Sequence, residues 1–547
     1  MSMRTVVCEI ASEHPIVPYL WKNTSGSRAV RNRANFLIRN TMTGIRKSPE
    51  ERTHNETEAL HTVFTGIQKA NIAKRSRVTG SARRGVLKAK RLKKTGMQAH
   101  ACIGRTIRAA ETPIPCPDLH HWFLGYDTLD AILKYTNDPA YYSCTSQVNQ
   151  QALRKTVESW TSYFRSLKEW KKCRDRFKAV PRIPGYLRGM ETTAHFTSQV
   201  CGLQAESGKL YLVFTGFPDR LCIGKDSLFR GKYVCTEVKP FYGRYRLYLT
   251  YDDGMKMPEV PENPSRGLGL DPGVGNFLAG LSNSGAAPFL IRGGFLKSVN
   301  QWYNKRKAEL KSRLEKSGQG KDSHALQALS IRRERMIREF FCKTAHWIMR
   351  WCKANRIEVV VIGHNEGQKQ RMDNGDQNNQ NFVGIPYSRF FLILKTVGIR
   401  YGIPVVEREE SYTSQASLLD LDSIPTYGEK DADKASFSGK RIKRGLYRSS
   451  DGSTLNADVN GAGNILRREY PHIFDGMNLS TACGKAAVVT GEELLGIRSR
   501  MAPVHYRKKP GTGAMKRHQC RKERRQDLQM LWGKWKSPRK KPADKAA

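Results

Sequence analysis

Several features that are common in chains of this length are missing from the sequence. No apolar run reaches the roughly 18 residues that a membrane span needs, and the N-terminus lacks the charged, apolar and small-residue order of a signal peptide. No CxxC pair occurs among the twelve cysteines, and many lie among apolar neighbours, as at Cys222 and Cys352. Zinc sites and disulfides are therefore disfavoured. We expect a cytoplasmic protein with buried, reduced thiols and no membrane partner.

Acidic residues are also scarce, since 94 Lys and Arg face 50 Asp and Glu and the formal net charge is +44. A compact state tolerates such a charge when a polyanion neutralises it, which favours nucleic acid as the partner. On charge alone, a ribosomal or architectural protein is an equal alternative. The segment 59–110 has no acidic residue at all, and its expected phosphate contacts, as against a merely solvated face, are Arg83, Arg84, Lys90, Arg91, Lys93 and Lys94.

The order of apolar patterns predicts several domains, as the length of 547 residues also requires. Residues 148–167 have the apolar spacing of a basic amphipathic helix, and residues 190–255 alternate as in a small antiparallel barrel or sheet. After a proline-bearing linker, strands alternate with long helices, which favours a mainly parallel α/β sheet. The polar, basic residues beyond about 498 should be disordered until they meet nucleic acid.

Two aspartates stand where a metal-dependent phosphodiesterase needs carboxylates. Asp271 ends the apolar strand LGLD and is followed by Pro-Gly-Val-Gly, which lets the chain turn sharply. Asp458 precedes Asn460 and Asn464 at helical spacing, among small residues that permit close packing. Each has an ordinary structural alternative, since the first fits a common turn and the second a helix N-cap. Together they are the most specific pair in the chain, because two-metal cleavage needs converging acids.

The sequence resembles the TnpB family of transposon-encoded nucleases, with its relatives the eukaryotic Fanzor proteins and the compact type V CRISPR effectors. The resemblance rests on ordered motifs along most of the chain, including PRIPGYLR, GLGLDPGVGNFLA, VVVIGHNEGQKQ, EESYTSQAS, FSGKRIKRGLYRS and NADVNGAGNI. It implies an RNA-guided DNA endonuclease that cuts target DNA complementary to a bound guide RNA, beside a short flanking motif. It also implies two Mg²⁺ ions, which Mn²⁺ can replace, in one RuvC-type site. The implied partners are guide RNA and double-stranded target DNA, in a monomeric ribonucleoprotein that is nucleoid-associated in a prokaryote.

The resemblance also implies a multidomain α+β fold, in which a helical recognition lobe and a small β-barrel wedge domain join an RNase H-like (RuvC) α/β domain. The expected divisions are a basic N-terminal region with a wedge strand and nucleic-acid-binding helices (1–110), a helical recognition region (111–190), the wedge domain (191–260), the first part of the nuclease domain (261–410), a target-nucleic-acid-binding insert (411–450), the last part of the nuclease domain (451–498) and a basic tail (499–547).

The chain departs from the family pattern at the second catalytic acid. Most members carry a Glu at the end of the fourth strand, where this sequence has Gly363. The next strand should lie alongside at about 4.8 Å, so an acid at its end could reach the same metal. Some relatives place the Glu just before a YTS tripeptide, and Glu410 matches that position, with Glu409 as the alternative. Strand alternation puts Glu410 on one face and Glu407 and Glu409 on the other. The predicted catalytic and metal-binding set is Asp271, Glu410 and Asp458.

A second departure concerns zinc. The family usually has two CxxC pairs after the YTS segment, whereas Ser414 and Ser417 occupy the positions of the first pair here and no second pair exists. Serine cannot replace a thiolate as a zinc ligand, so we expect no zinc and an insert held by packing and hydrogen bonds. The basic segment that follows is predicted to guide the scissile strand through Lys440, Arg441, Lys443 and Arg444.

Other functions remain open on the sequence. A nuclease-inactive, RNA-guided DNA-binding repressor is motivated by Gly363, and a compact type V effector would have the same chemistry. A single-strand transposase would need a nucleophilic Tyr with a paired-His metal site, and the chain has no HxH pair. An RNA-binding scaffold is the fourth possibility.

Overall fold

The computed structural model describes residues 3–76, 80–174, 177, 179–229, 231–318, 322–364, 384–425, 435–443 and 445–496. Nearly all of them belong to one unit, Met1–Leu495. The helices in this part of the chain are α1 (Val17–Gly44), α2 (His54–Arg75), α3 (Ser81–Arg91), α4 (Gly96–Glu111), α5 (Tyr126–Tyr135), α6 (Ser146–Lys172), α7 (Gly294–Lys316), α8 (His324–Ala354), α9 (Tyr387–Tyr401), α10 (Ala457–Glu469), α11 (Leu479–Ala482) and α12 (Gly491–Leu495).

The strands fall into four sheets. They are β1 (Met3–Ile10), β2 (Ala194–Thr197), β3 (Cys201–Glu206), β4 (Lys209–Phe214), β5 (Arg220–Lys225), β6 (Lys232–Phe241), β7 (Arg244–Asp252), β8 (Gly267–Pro272), β9 (Asn276–Ser282), β10 (Phe289–Arg292), β11 (Val359–Gly363), β12 (Val405–Arg408), β13 (Lys440–Lys443), β14 (Leu446–Arg448), β15 (Thr454–Leu455) and β16 (Ala487–Val489). The fold is therefore mixed α and β, as predicted.

Helices dominate the N-terminal region. The predicted amphipathic helix is confirmed as α6, whose apolar side includes the fully buried Trp160. The indole Nε1 of Trp160 donates to Asn35 Oδ1 of α1 at 2.9 Å, so the polar atom of this large side chain is satisfied. Helix α2 begins with a capping box, in which the side chains of Thr53 and Glu56 each accept a backbone N–H.

Residues 194–252 form the predicted antiparallel structure, as two sheets with strand orders β1-β7-β6-β2 and β3-β4-β5. Strand β1 supplies the strand expected in the N-terminal region, and it pairs with β7 from Met3 opposite Asp252 to Ile10 opposite Tyr245. Apolar side chains from these strands and from α1, α2, α5 and α6 share one core.

The largest sheet has the strand order β12-β11-β8-β9-β10-β16. Strands β12, β11 and β8 are parallel to one another, whereas β9 is antiparallel to both β8 and β10. The prediction of a mainly parallel sheet therefore missed a meander. Short connections join β8 to β9 and β9 to β10, and connections of this length link antiparallel neighbours.

Helices cover both faces of this sheet. Apolar side chains of α7, α8 and α9 pack on one face, around Phe277, Phe340 and Phe390. Helix α10 packs on the other face through Val459, Ala462 and Leu466. Because both faces are covered, the strands are apolar and buried along most of their length, and polar residues can enter only at the strand ends.

Three smaller predictions have separate outcomes. The cysteines that the structure describes are all free, but Cys116, Cys173 and Cys222 are exposed, so the expectation of buried thiols is wrong for these three. Within the described ranges, no helix is long and apolar enough to span a membrane. The domain boundaries remain predictions, and the tail 499–547 lies outside the described residues.

Candidate active site

The carboxyl ends of β8, β11 and β12 meet at one edge of the six-stranded sheet. Leu270 of β8 pairs with Ile362 of β11, so Asp271 and Gly363 follow at adjacent strand ends. Gly363 in turn pairs with Arg408, the last residue of β12. Residues that follow Arg408 are therefore beside Gly363, as the prediction required.

Glu410 occupies the space that Gly363 leaves open. A Cβ at position 363 would lie 2.5 Å from Glu410 Oε2 and 3.2 Å from Glu410 Cβ. It would also lie 2.6 Å from Ile465 Cδ1 of α10. The missing side chain on β11 and the carboxylate from the neighbouring segment are thus sterically complementary, and any larger residue at position 363 would displace Glu410.

The neighbouring glutamates point elsewhere. Glu409 Oε2 forms an ion pair with Arg468 of α10 at 2.7 Å, and Glu407 pairs with Lys395 and His364 at 2.8 and 2.9 Å. The prediction that Glu407 and Glu409 share a face by strand alternation is therefore wrong for Glu409, because β12 ends at Arg408 and the period of two ends with it.

Asp271 is enclosed between the strand end and helix α10. A Cβ at Gly461 would lie 2.5 Å from Asp271 Oδ2, so this helix position must be glycine for the carboxylate to keep its place. Burial raises the pKa of Asp271 well above its usual range, and the nearby Glu410 and Asp458 carboxylates raise it further, against a smaller lowering by Arg441. The structure thus brings the three predicted acids into electrostatic contact.

Asp458 lies in the first turn of α10, which Asn456 caps by accepting the backbone N–H groups of Asp458 and Val459. Its Oδ2 accepts a hydrogen bond from Asn276 Nδ2 at 2.7 Å. Its Oδ1 faces Arg441 Nη2 at 3.4 Å. The Asp458 side chain is 29% exposed, so its carboxylate keeps some access to solvent beside these two contacts.

Tyr387, at the start of α9, is a buried neighbour of the acids. Its hydroxyl donates to the carbonyl of Gly273 at 2.6 Å, and this glycine belongs to the turn that follows Asp271. Burial raises the pKa of the Tyr387 phenol, and the charges of Asp271 and Glu410 add to this effect. The phenol therefore stays protonated and fixes the turn that carries Asp271.

The segment after Glu410 is fastened to α10 by two buried asparagines. Asn460 Oδ1 accepts from Leu418 N at 3.0 Å, and its Nδ2 donates to Ala416 O at 2.8 Å. Asn464 Nδ2 donates to the carbonyls of Thr413 and Ala416 at 2.9 and 2.7 Å. Because Asn460 and Asn464 lie one helical turn apart, one face of α10 holds the chain that follows Glu410.

The insert that begins at Ser411 is held by carboxylate hydrogen bonds where relatives are expected to use zinc. Asp422 accepts from the backbone N–H groups of Ser417 and Ser438, and from the hydroxyl of Ser438 at 2.5 Å. Asp420 accepts from both the backbone and the hydroxyl of Ser450. The fully buried Tyr447 donates to Gln415 O at 2.6 Å.

The predicted phosphate contacts lie on two surfaces. Arg83, Arg84, Lys90, Arg91 and Lys93 are exposed on or just after α3, and Lys94 is partly exposed. Lys440, Arg441 and Lys443 are exposed on β13, and Arg444 lies outside the described residues. Among the described members of this set, Arg441 contacts one of the three acids, Asp458.

Three carboxylates supply the hard oxygen ligands that Mg²⁺ prefers. Within the described ranges, no group of three or more His, Cys, Asp and Glu side chains is arranged to hold a metal ion. Mg²⁺ commonly uses one or two carboxylates with water and substrate oxygens, so an open set of this kind fits it.

Sequence reasoning gave no role to Asn276, Tyr387, Asn460 or Asn464. The two asparagines of α10 carry a sequence signal, because polar residues four apart on an otherwise small and apolar helix face need buried partners. Asn276 and Tyr387 carry no comparable signal, since their partners Asp458 and Gly273 are distant in sequence.

A family model matches part of the chain. Residues 236–368 match the family model OrfB_IS605, described as a probable transposase. No curated protein matches the chain. Two solved structures are similar at a TM-score of 0.27, which is too low to bear on fold or function. One is the Cas12f1-sgRNA-target DNA complex, with 14% identity over 85% of this chain and 99% of that chain. The other is a CRISPR-Cas12f ternary complex, with 15% identity over 75% and 81%.

Proposed function

We propose, from the TnpB-like identity that the family match supports, that the chain is an RNA-guided DNA endonuclease with a RuvC-type site. The observation that carries the proposal is the position of Glu410, whose carboxylate lies in the space left by Gly363 and acts electrostatically on Asp271. An acid is thus present where the family expects one, although it comes from another segment. A retained but inactive site would have no reason to keep this complementarity.

The strand order supports an RNase H-like nuclease core. Strands β8, β9 and β10 form a meander, and β11 and then β12 add in parallel on the other side of β8. The resemblance implies an RNase H-like domain, and Asp271 on β8 and Asp458 on α10 lie on this sheet and on the helix that covers it. The carboxyl ends of parallel strands are also where such sheets commonly place their sites.

Asp271, Glu410 and Asp458 would hold two Mg²⁺ ions, for which Mn²⁺ can substitute. Bound divalent cations would supply Lewis-acid stabilisation of phosphodiester hydrolysis. The protein's part is to keep three like charges close together in a fixed geometry. Tyr387 holds the turn after Asp271, Asn464 holds the segment after Glu410, and Asn456 caps the helix that carries Asp458.

The nucleic-acid partners follow from charge and from the resemblance. The basic surface of α3 would contact guide RNA or its duplex with DNA, and β13 would lead the scissile strand to the site, with Arg441 nearest the acids. Phosphate contacts of this kind release counterions, so affinity should fall steeply as salt rises. Sequence specificity would be delegated to base pairing with the guide.

The proposal is tested by plasmid cleavage with the ribonucleoprotein, isolated together with the RNA that copurifies. Wild-type protein should cleave a matched target in Mg²⁺. Glu410→Ala should lose at least about a thousandfold in rate, since a metal ligand contributes several kcal/mol to the transition state. Glu409→Ala is the matched control, because that side chain pairs with Arg468 outside the acid cluster. Full activity of Glu410→Ala would contradict the assignment.

A relocation experiment tests the complementarity directly. The double variant Gly363→Glu, Glu410→Ala returns the acid to the strand end where most relatives carry it. It should recover part of the activity that Glu410→Ala alone loses, while Gly363→Glu alone should be inactive because two side chains compete for one space. DNA binding without nicks by wild type would favour the repressor function. A covalent protein–DNA adduct would favour the transposase that the family description names.

A further inference from the structure

We propose that Asn276 and Arg292 form a positioning relay that orients the Asp458 carboxylate. Arg292 Nη1 donates to Asn276 Oδ1 at 2.9 Å, and Asn276 Nδ2 donates to Asp458 Oδ2 at 2.7 Å. Neither residue belongs to the predicted acid set. The inference rests on the proposed function, because it assigns the relay a role in the same metal site.

The hydrogen-bond chain has only one possible polarity. A guanidinium has donors and no acceptor, so the atom of Asn276 that faces Arg292 must be the carbonyl oxygen. The amide NH₂ is then forced to face Asp458, where it meets an acceptor. An amide without Arg292 could turn over and present its own oxygen to the carboxylate. Arg292 therefore acts through Asn276, by fixing the orientation of the amide.

The backbone explains why these side chains meet. Asn276 begins β9 and Arg292 ends β10, and the two pair at an irregularity between Ile291 and Arg292. A bulge of this kind redirects a side chain at the end of a strand. Asn276 is 7% exposed, whereas Arg292 is on the surface. The relay thus runs from solvent through a buried amide to the site.

The two oxygens of Asp458 therefore have different partners. Oδ2 accepts a hydrogen bond from the buried amide of Asn276, whereas Oδ1 contacts the more exposed side chain of Arg441 at 3.4 Å. Partners that orient a ligating carboxylate commonly change metal affinity by about 10–100-fold when they are removed. Asn276→Ala should therefore weaken the binding of a divalent cation by about tenfold.

The direct test is Mn²⁺ binding to the full chain, measured by isothermal titration calorimetry, with the Mg²⁺ dependence of cleavage as a second readout. Asn276→Ala should weaken Mn²⁺ binding and raise the Mg²⁺ concentration for half-maximal cleavage, each by about tenfold. Arg292→Ala should have a smaller effect of the same sign, and no further effect in the Asn276→Ala background. Because Arg292 is exposed, this variant keeps the test valid if Asn276→Ala fails to fold.

Asn283→Ala is the matched control. Asn283 follows the same strand, and its side chain binds only backbone groups, including Ser265 O and Gly267 N. Its loss should lower the thermal midpoint and leave Mn²⁺ affinity unchanged. Unaltered Mn²⁺ binding by both Asn276→Ala and Arg292→Ala would overturn the relay alone. A wild-type chain that neither binds Mn²⁺ nor cleaves would overturn the proposed function as well.

Discussion

Glu56 in the helical region and Asp271 in the six-stranded sheet are both buried carboxylates, but their pKa values shift in opposite directions. Burial alone would raise the pKa of Glu56, yet hydrogen bonds with Thr43 and Thr53 and the ion pair with Lys47 lower it to about 2. Asp271 has the opposite outcome, because burial raises its pKa and the nearby carboxylates of Glu410 and Asp458 raise it further. The helical region thus stabilises the negative charge of Glu56. The sheet places Asp271 beside other carboxylates, and their mutual repulsion falls only when a cation or a proton binds.

This contrast distinguishes a buried acid that stabilises the fold from a buried acid that is expected to serve activity. A buried acid that is fully hydrogen-bonded stabilises the fold and needs nothing further. A buried acid among like charges costs stability, and such sites persist where activity needs them. Glu56 and Asp271 should therefore respond in opposite ways to the removal of their charge.

The largest expected effect comes from Asp271→Asn. Cleavage should fall by at least about a thousandfold, because the proposed metal site would lose a carboxylate ligand. The thermal midpoint of the metal-free protein should nevertheless rise by roughly 2 °C, since the like-charge repulsion is removed. Differential scanning fluorimetry in a chelator and plasmid cleavage measure the two effects. A lower midpoint would show that Asp271 serves stability, as Glu56 does.

The next effect in size tests how closely Asp271 is enclosed. Gly461→Ala places a methyl group 2.5 Å from Asp271 Oδ2. Misplacing a reacting group by about 1 Å can cost about a hundredfold in rate, so cleavage should fall by that order. Gly461 is inside a helix, where alanine is favoured over glycine by about 1 kcal/mol. The variant should therefore keep its thermal midpoint while it loses activity.

Gly104→Ala is the matched control for that variant. Gly104 is also inside a helix, and a Cβ there would meet only Arg108 Nη2 at 3.9 Å. It should gain stability and retain full cleavage. Equal cleavage by the Gly461 and Gly104 variants would mean that Asp271 can move without loss.

The same two regions show what the sequence can predict. The apolar spacing of α6 and the strand LGLD gave their elements correctly, because burial of a face leaves a local signal. The pairing of β12 beside β11 also followed from the alternation of strands and helices. The orientation of Glu409 could not be predicted in this way. Strand β12 ends at Arg408, where its hydrogen bonds to the neighbouring strand end, and the sequence alone does not mark that point.

Contacts between residues that are distant in sequence are the hardest to predict from the sequence. Glu410 could be nominated because a glycine stood in the usual place, but its fit to Gly363 depends on Ile465 and on packing of α10. Asn276 and Asp458 are 182 residues apart in sequence, and the irregularity in β10 that brings Arg292 beside Asn276 has no signal in the sequence pattern. The acids of the site could be predicted from their residue type and motif. The residues that orient those acids could be identified only from their positions in the structure.

Glu56→Gln should weaken the helical region without affecting the chemistry. It removes an ion pair with Lys47, at 2.9 Å, and weakens the capping box at the start of α2. A loss of about 2 kcal/mol is expected, which lowers the thermal midpoint by roughly 5 °C for a region of this size. Glu58→Gln is the control, since Glu58 pairs with Arg33 at an exposed position, and its replacement should change the midpoint little. Cleavage below the midpoint should be unchanged in both.

The smallest effect is the pH dependence of that contribution, and its sign follows from the lowered pKa. Glu56 binds its proton more weakly in the folded chain than in the unfolded chain, so the unfolded state takes up protons first as pH falls. The stability from Glu56 is therefore fully present above about pH 4.5 and is lost between about pH 4.5 and pH 2. The difference in thermal midpoint between wild type and Glu56→Gln should be constant from pH 8 to pH 5 and shrink below that range. A difference that grew on acidification would mean that Glu56 is held protonated, and the contrast with Asp271 would vanish.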